Sequence, residues 1–476
     1  MVRFLIDLIH KFIPKTHPKS TQKSLNSCLK IFKMTKFGVD AASFYAPSLY
    51  LEIKDLAEKR GIEPAKLEKG LGLHKMALPD VHEDAATFAA EALLKLIQDY
   101  NLNPKEISRV YLGTESALDA AKPTSTYAVQ MVEEFLTEEF GERSFKNCDI
   151  VDMTFACVGA VDALHNCLDF VRANPTKKAV VIASDYAKYE LASSGEYTQG
   201  GGAVALLVSA NPKLIDIDNN WGVATESVFD FFKPRRHFSK DDFPTAPENF
   251  PDKIEVFTDE PVFDGQYSNI CYQDRIREAY EHYKDQTFTV RPYEDWRYMI
   301  FHLPYAFHGK RVFTEIYSLE NHLDYSDAEK QKAIAKSEDY INFINEKIEK
   351  SQRASSEIGN MYTASIFMAL LSALQTSFNE NEDLTEKEIG FLAYGSGSKS
   401  KVFVGKVSPE WKSVVKKWNL FEKLKNRLPI DFETYEKLHR KQLDSSVNQN
   451  YKGFGLTRIE KESQVLKGAR YYSYQK

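Results

Sequence analysis

Residues 152–160 read Asp152-Met153-Thr154-Phe155-Ala156-Cys157-Val158-Gly159-Ala160. A β-type segment, 148–153, runs into this stretch, and apolar residues at helical spacing, Val158, Val161, Leu164 and Leu168, run out of it. Strand, small-residue turn and helix put Cys157 at or near a helix N-terminus, where free N–H groups and the helix dipole favour a thiolate. Ala156, Gly159 and Ala160 leave room for a substrate beside the sulfur. A nucleophilic cysteine can carry an acyl group as a thioester. A free cysteine is also a common core residue, so this segment by itself leaves both readings open.

The same alternation continues on either side. Residues 36–42, 109–113, 149–153, 179–184 and 203–208 read as strands, and 48–60, 83–100 and 128–140 as helices. That order predicts an α/β architecture around a largely buried sheet. Further on come an aromatic, proline-rich stretch (229–272), a helix (274–284) and a short apolar run (298–302). A long charged region (327–353) follows, read as a solvated face or an insertion, then an apolar helix (362–374) and a strand (389–394). That last strand meets Gly395-Ser396-Gly397-Ser398, an echo of the strand entering Cys157 that points to two similar halves, 34–215 and 216–476.

The 476 residues are 43% hydrophobic and 27% charged, which is enough chain for two or three domains or two fused halves. A formal net charge of −6 argues against nucleic acid as a main partner. No apolar run is long enough to predict a membrane span. Cys28, Cys148, Cys157, Cys167 and Cys271 lack regular spacing, so no disulfide framework is expected and a reducing cytoplasm is. With no Cys-x-x-Cys and no His pair at ligand spacing, no metal site is expected. Residues 1–33 differ from the rest, with seven cations against one acid, Asp7. They read as a dispensable basic extension before a working start at Met34.

Four segments carry chemistry: Thr114-Glu115-Ser116, the Cys157 turn, Phe301-His302-Leu303-Pro304 and the 395–398 loop. Each follows a strand-like run, and ligand sites collect at strand carboxyl ends in α/β folds. A sulfur nucleophile, a carboxylate and an imidazole suffice for acyl transfer and carbon-acid chemistry. Taken singly, Glu115 also reads as a surface acid, His302 as a satisfied core histidine and the glycine loop as a tight turn. Gly200-Gly201-Gly202 and Gly395-x-Gly397 lack the full dinucleotide signature. They fit close backbone approach to a ligand, or N–H donors to an oxyanion.

Together these residues resemble the 3-hydroxy-3-methylglutaryl-CoA synthase family of the thiolase superfamily. The matching segments are 113–122, Thr154-Phe155-Ala156-Cys157, Ser184-Asp185-Tyr186-Ala187-Lys188-Tyr189, Gly195-Glu196-Tyr197-Thr198-Gln199-Gly200 and Val262-Phe263-Asp264-Gly265. They continue with Phe301-His302-Leu303-Pro304-Tyr305, Gly359-Asn360-Met361-Tyr362-Thr363-Ala364-Ser365 and the 394–398 run. They follow in order from about residue 36 to 454–474.

The resemblance implies a thiolase-like five-layered αβαβα fold of two similar halves and a homodimer. It implies acetyl-CoA and acetoacetyl-CoA as substrates, with no cofactor beyond these coenzyme A thioesters. Cys157 would be the acyl-accepting nucleophile, Glu115 the general acid/base and His302 the residue that orients the second substrate. Asn360 would contact the acetoacetyl group, and the backbone N–H groups of Cys157 and Ser396 would hold the oxyanion. Tyr189, Asp185 and Thr198 would line or support the site. Where many relatives place a lysine stands Phe307, which leaves Lys310 and Arg311 as candidates for the CoA phosphates. Two other readings use the same segments: a β-branching enzyme acting on carrier-protein-bound β-keto intermediates, and an inactive acyl-CoA-binding scaffold.

Overall fold

Runs such as Val180-Val181-Ile182 and Val204-Ala205-Leu206-Leu207 are β-branched and apolar on both faces, the pattern of strands covered on two sides. The computed structural model describes residues 35–476, so the expectation for segment 1–33 lies outside the described residues. Phe37–Lys476 forms one compact unit. Its large mixed sheet has nine strands: β1 (Phe37–Tyr45), β2 (Ile107–Gly113), β3 (Asp149–Met153), β4 (Lys178–Ala187), β5 (Gly200–Ala210), β6 (Ile215–Thr225), β7 (Trp296–Phe301), β8 (Glu388–Gly395) and β9 (Lys399–Val407). Their order is β7-β8-β9-β6-β1-β5-β4-β2-β3.

The sheet joins at β1 and β6, which pair antiparallel through Gly38↔Asp216 and Val39↔Ile215. A Cβ on Gly38 would lie 2.0 Å from the Ile215 carbonyl oxygen, so the joint closes only with glycine there. Outward from it the strands run β1-β5-β4-β2-β3 on one side and β6-β9-β8-β7 on the other. Parallel pairing occurs at β2–β4 and β2–β3 in the first group and at β7–β8 in the second. In this order β2 matches β7, and β4 matches β8. The strand before the glycine loop therefore mirrors β4 and not β3, the strand entering Cys157. An apolar run meeting small residues looks the same in sequence wherever its hydrogen-bond partners lie.

Side-chain alternation assigns the two faces. Val180 and Ile182 face helices α1 (Ala85–Tyr100) and α2 (Thr124–Phe135), whereas Val181 faces α3 (Gly159–Ala173) with Val204 and Leu206. Helix α1 starts where Asp84 accepts the N–H groups of Ala86 (3.0 Å) and Thr87 (3.1 Å), as an N-cap should. In the second group α4 (Gly265–Thr287) packs on β6 and β9. It begins earlier than the sequence pattern indicated, because Asp264 caps it from a loop that lacks helical periodicity. Helices α5 (His308–Glu320), α6 (Glu349–Ile358) and α7 (Ser365–Asn379) complete this group, with α7 against β7. The charged region is three helices, and only Ala328–Ala335 buries nothing. Its last member, α6, packs on α7 and buries Ala354 and Ile358, so it is no mere solvated face. Among the described residues no helix is long and apolar enough to cross a membrane.

Candidate active site

After β3 the chain turns through Thr154–Val158, with Ala156 at a left-handed φ of 37°, and enters α3 at Gly159. Two strand ends close on this turn. A Cβ on Gly113, the last residue of β2, would lie 2.2 Å from the Ala160 nitrogen. One on Gly395, the last residue of β8, would lie 2.7 Å from both the Phe155 oxygen and the Val158 nitrogen. Glycine at both places lets the two strand groups meet at Cys157.

Cys157 is 7% exposed, and its thiol hydrogen-bonds the Glu115 carboxyl just beyond β2. Burial and the adjacent carboxylate push the thiol well above its ordinary range. This overturns the expected thiolate: the sulfur sits at the helix start, but desolvation and Glu115 outweigh the dipole, and the resting group is a thiol. Burial likewise pushes Glu115 up to about 7, opposed by the nearby Lys233 ammonium and reinforced by Asp185. One Glu115 carboxyl oxygen, Oε1, is buried without a hydrogen-bond partner.

His302 follows β7 as Glu115 follows β2, and it is 2% exposed. Its Nδ1 lies 2.5 Å from the Ser365 hydroxyl, which accepts the Leu303 N–H at 3.1 Å. A hydroxyl that accepts from Leu303 can still donate its own proton to Nδ1, the arrangement in which the imidazole proton lies on Nε2. Burial lowers His302 to about 3, so the ring is neutral. The Tyr272 hydroxyl donates to the His302 carbonyl at 2.6 Å, and the Tyr272 ring stacks on Tyr394 at 4.4 Å.

Cys157 and His302 line one cavity of about 730 Å³. Tyr189, Thr198, Asn360, Ser396 and Arg311 line it too. Tyr189, Phe231, Phe263 and Tyr362 form an aromatic wall around the sulfur. Asn360 is held by its N–H to the Thr198 carbonyl (2.9 Å) and by its Oδ1, which accepts from the Tyr362 N–H (2.8 Å). Asp185, expected among the substrate contacts, is not in the wall. It is fully buried behind Glu115, with Oδ1 accepting the Glu115 N–H at 2.7 Å and Oδ2 accepting the Thr363 hydroxyl at 2.5 Å. Its place on the sheet turns it toward the backbone of β2's end.

Two family models match the chain. The hydroxymethylglutaryl-coenzyme A synthase N-terminal model covers residues 33–213, and the C-terminal model covers 249–472. The hydroxymethylglutaryl-CoA synthase of Haloferax volcanii is 31% identical over 435 residues, spanning 85% of this chain and 92% of the relative. The chain belongs to the hydroxymethylglutaryl-CoA synthase family. The Enterococcus faecalis synthase is 28% identical over 412 residues, 87% of this chain and 94% of that protein. Among solved structures, MvaS in complex with 3-hydroxy-3-methylglutaryl coenzyme A aligns with a TM-score of 0.77 at 29% identity, over 93% of this chain and all of the other. A curacin-pathway HMG synthase aligns with a TM-score of 0.73 at 22% identity, which shows the fold. The fold is thiolase-like, as the motifs implied.

This hydroxymethylglutaryl-CoA synthase-family chain departs from expectation at Lys310. The ammonium lies 3.4 Å over the Phe307 ring and outside the cavity wall. Lys310 and Arg311 are consecutive on α5 and point about 100° apart, so Arg311 lines the cavity and reaches the Gly70 carbonyl (2.7 Å) while Lys310 does not line it. Sequence reasoning missed Lys233, which donates to the Glu115 carbonyl at 3.2 Å. It also missed Asp230, which accepts the Gly397 N–H (2.8 Å) and the Tyr394 hydroxyl (2.6 Å) and so pins the glycine loop. Both sit in the aromatic stretch, where no periodicity marks them.

Proposed function

We propose that this chain condenses acetyl-CoA with acetoacetyl-CoA to give 3-hydroxy-3-methylglutaryl-CoA through an acetyl-Cys157 intermediate. The observation that carries this reading is the convergence of a thiol and a neutral imidazole on one aromatic-walled cavity, with the Glu115 carboxyl, raised to about 7, buried beside the thiol. Cys157 Sγ adds to the acetyl thioester, Glu115 takes the thiol proton, and that proton leaves with the CoA thiolate. Glu115, again a carboxylate, removes a proton from the acetyl methyl, whose carbanion is an enolate held by the Cys157 and Ser396 N–H groups. The carbanion attacks the ketone carbon of acetoacetyl-CoA. The new alkoxide meets the His302 Nε2–H and receives the proton that Glu115 holds. Water then cleaves the Cys157 thioester, releasing a carboxylate and the free thiol. The aromatic wall keeps bulk water away from the enolate.

Mass spectrometry after mixing with acetyl-CoA should show one added acetyl group on the Cys157 peptide, lost in Cys157→Ala. Acetylation that survives this substitution would sink the assignment. Arg311, exposed at the cavity edge, supports an acceptor with the extra nucleotide phosphates of CoA, which a carrier-protein arm lacks, so kcat/KM for acetoacetyl-CoA should exceed that for acetoacetyl-carrier protein. A homodimer is supported by the outer edge of β3, which no strand pairs among the described residues and where Val151 is 36% exposed, since an open edge strand is a template for a second copy. Light scattering should return twice the chain mass. The free thiols of Cys148, Cys167 and Cys271 support a cytoplasmic location.

A further inference from the structure

His308, the first residue of α5, has no part in the chemistry above. It is 3% exposed, yet it lines the same cavity as Cys157 and His302. Neither Nδ1 nor Nε2 has a hydrogen-bond partner. Two ring contacts hold the imidazole in place, Tyr272 at 4.6 Å and Tyr305 at 4.7 Å between centroids. The groups facing it are His302, Tyr272, Tyr305 and Arg311, and none accepts or donates to it. A buried ring with two unmet nitrogens is costly, and such groups normally find a partner.

The order of residues along this wall says what the partner is. Buried His302 neighbours the Tyr272 ring (centroids 6.1 Å apart), Tyr272 meets His308, His308 meets Tyr305, and the Tyr305 ring lies 5.4 Å from the guanidinium of exposed Arg311. An acyl-CoA entering with its phosphates toward Arg311 and its acyl group at Cys157 passes His308 with the pantetheine arm. The arm's only strongly polar groups near the sulfur are its amides, each offering a carbonyl and an N–H. A neutral imidazole carries one donor and one acceptor, which matches an amide on either nitrogen. Burial holds His308 neutral, well below its ordinary range.

We propose that His308 is a substrate-arm contact: a ring nitrogen hydrogen-bonds a pantetheine amide and draws each acyl-CoA to the depth at which its carbonyl meets Cys157 or its ketone meets His302. This rests on the condensing activity proposed above.

The test is a truncation series with wild type, His308→Leu and His308→Asn. Leucine keeps the volume and removes the unmet nitrogens, so the melting temperature should hold or rise. The KM for acetoacetyl-CoA should rise roughly three- to tenfold, the span of one neutral hydrogen bond, with kcat less affected. His308→Asn should recover part of the loss. The N-acetylcysteamine thioester keeps the first amide and should show the same penalty. With S-ethyl acetothioacetate, which has no amide, the ratio of wild type to His308→Leu should fall to about one. An equal penalty for the amide-free thioester, or no penalty with acetoacetyl-CoA, would overturn the proposal. Wild type that fails to condense at all would instead overturn the activity on which it rests.

Discussion

Strands β2 and β7 hold matching places in the two strand groups, and each ends in one titratable residue of the site, Glu115 and His302. Both residues are desolvated, with opposite results. Burial disfavours the charged form, so the acid rises to about 7 and the base falls to about 3. The same physical cause moves the carboxyl into the range where it can gain and lose a proton, and moves the imidazole out of it. Under the proposed mechanism, matching positions serve as a proton carrier on one side and a fixed hydrogen-bond donor on the other. Topology supplied the places, and the sign of the charge decided the roles.

The largest effect should come from removing the carrier. Glu115→Gln should cut condensation by about 10²–10⁴-fold, while mass spectrometry still finds acetyl on Cys157 after long incubation. Normal turnover would place the base elsewhere. Next, His302→Ala should lower condensation by roughly 10²-fold, the loss of one donor to a developing oxyanion, with acetylation intact. A milder break is Ser365→Ala, which frees the ring to change tautomer and should cost about tenfold. Restoration by Ser365→Thr would tie the loss to the hydroxyl.

The pH profile sharpens the contrast. In the proposed mechanism Glu115 acts as a carboxylate, and burial raises it to about 7, so the condensation rate should climb as pH rises through about 7 and then level. His302 is already neutral at every pH above about 3, so no second limb should appear near the ordinary histidine value. A limb near 6.5 that disappears in His302→Ala would show that the imidazole titrates after all. The smallest effect belongs to the cavity edge. Arg311→Ala should raise the KM for acetoacetyl-CoA a few-fold, and Lys310→Ala, whose ammonium stacks on Phe307, should leave it unchanged.

Glu115, Cys157 and His302 were legible because each closes an apolar run at a strand end and stands inside a specific motif. Asp185 was legible as a site residue but not in its role, since which face of β4's end it takes depends on the register with β5. Lys233 and Asp230 were not legible: they enter the site from irregular backbone, and nothing local distinguishes them from surface charges. The protonation of Cys157 was misread for a similar reason. The helix start is written next to the cysteine, whereas the carboxylate that outweighs it arrives on another strand. The equivalence of β4 and β8 lay beyond reach because pairing partners leave no trace in one strand's own residues.

The resting thiol has a chemical consequence outside catalysis. Peroxide and soft electrophiles attack thiolates, and the oxidation ladder starts from that form. Cys157 waits protonated, 7% exposed and ringed by aromatic side chains, beside the Glu115 carboxyl. Between turnovers it should therefore persist unmodified in the presence of oxidants that quickly consume an exposed thiolate, so the carboxyl to which the proposed mechanism gives the proton transfers also shields the sulfur.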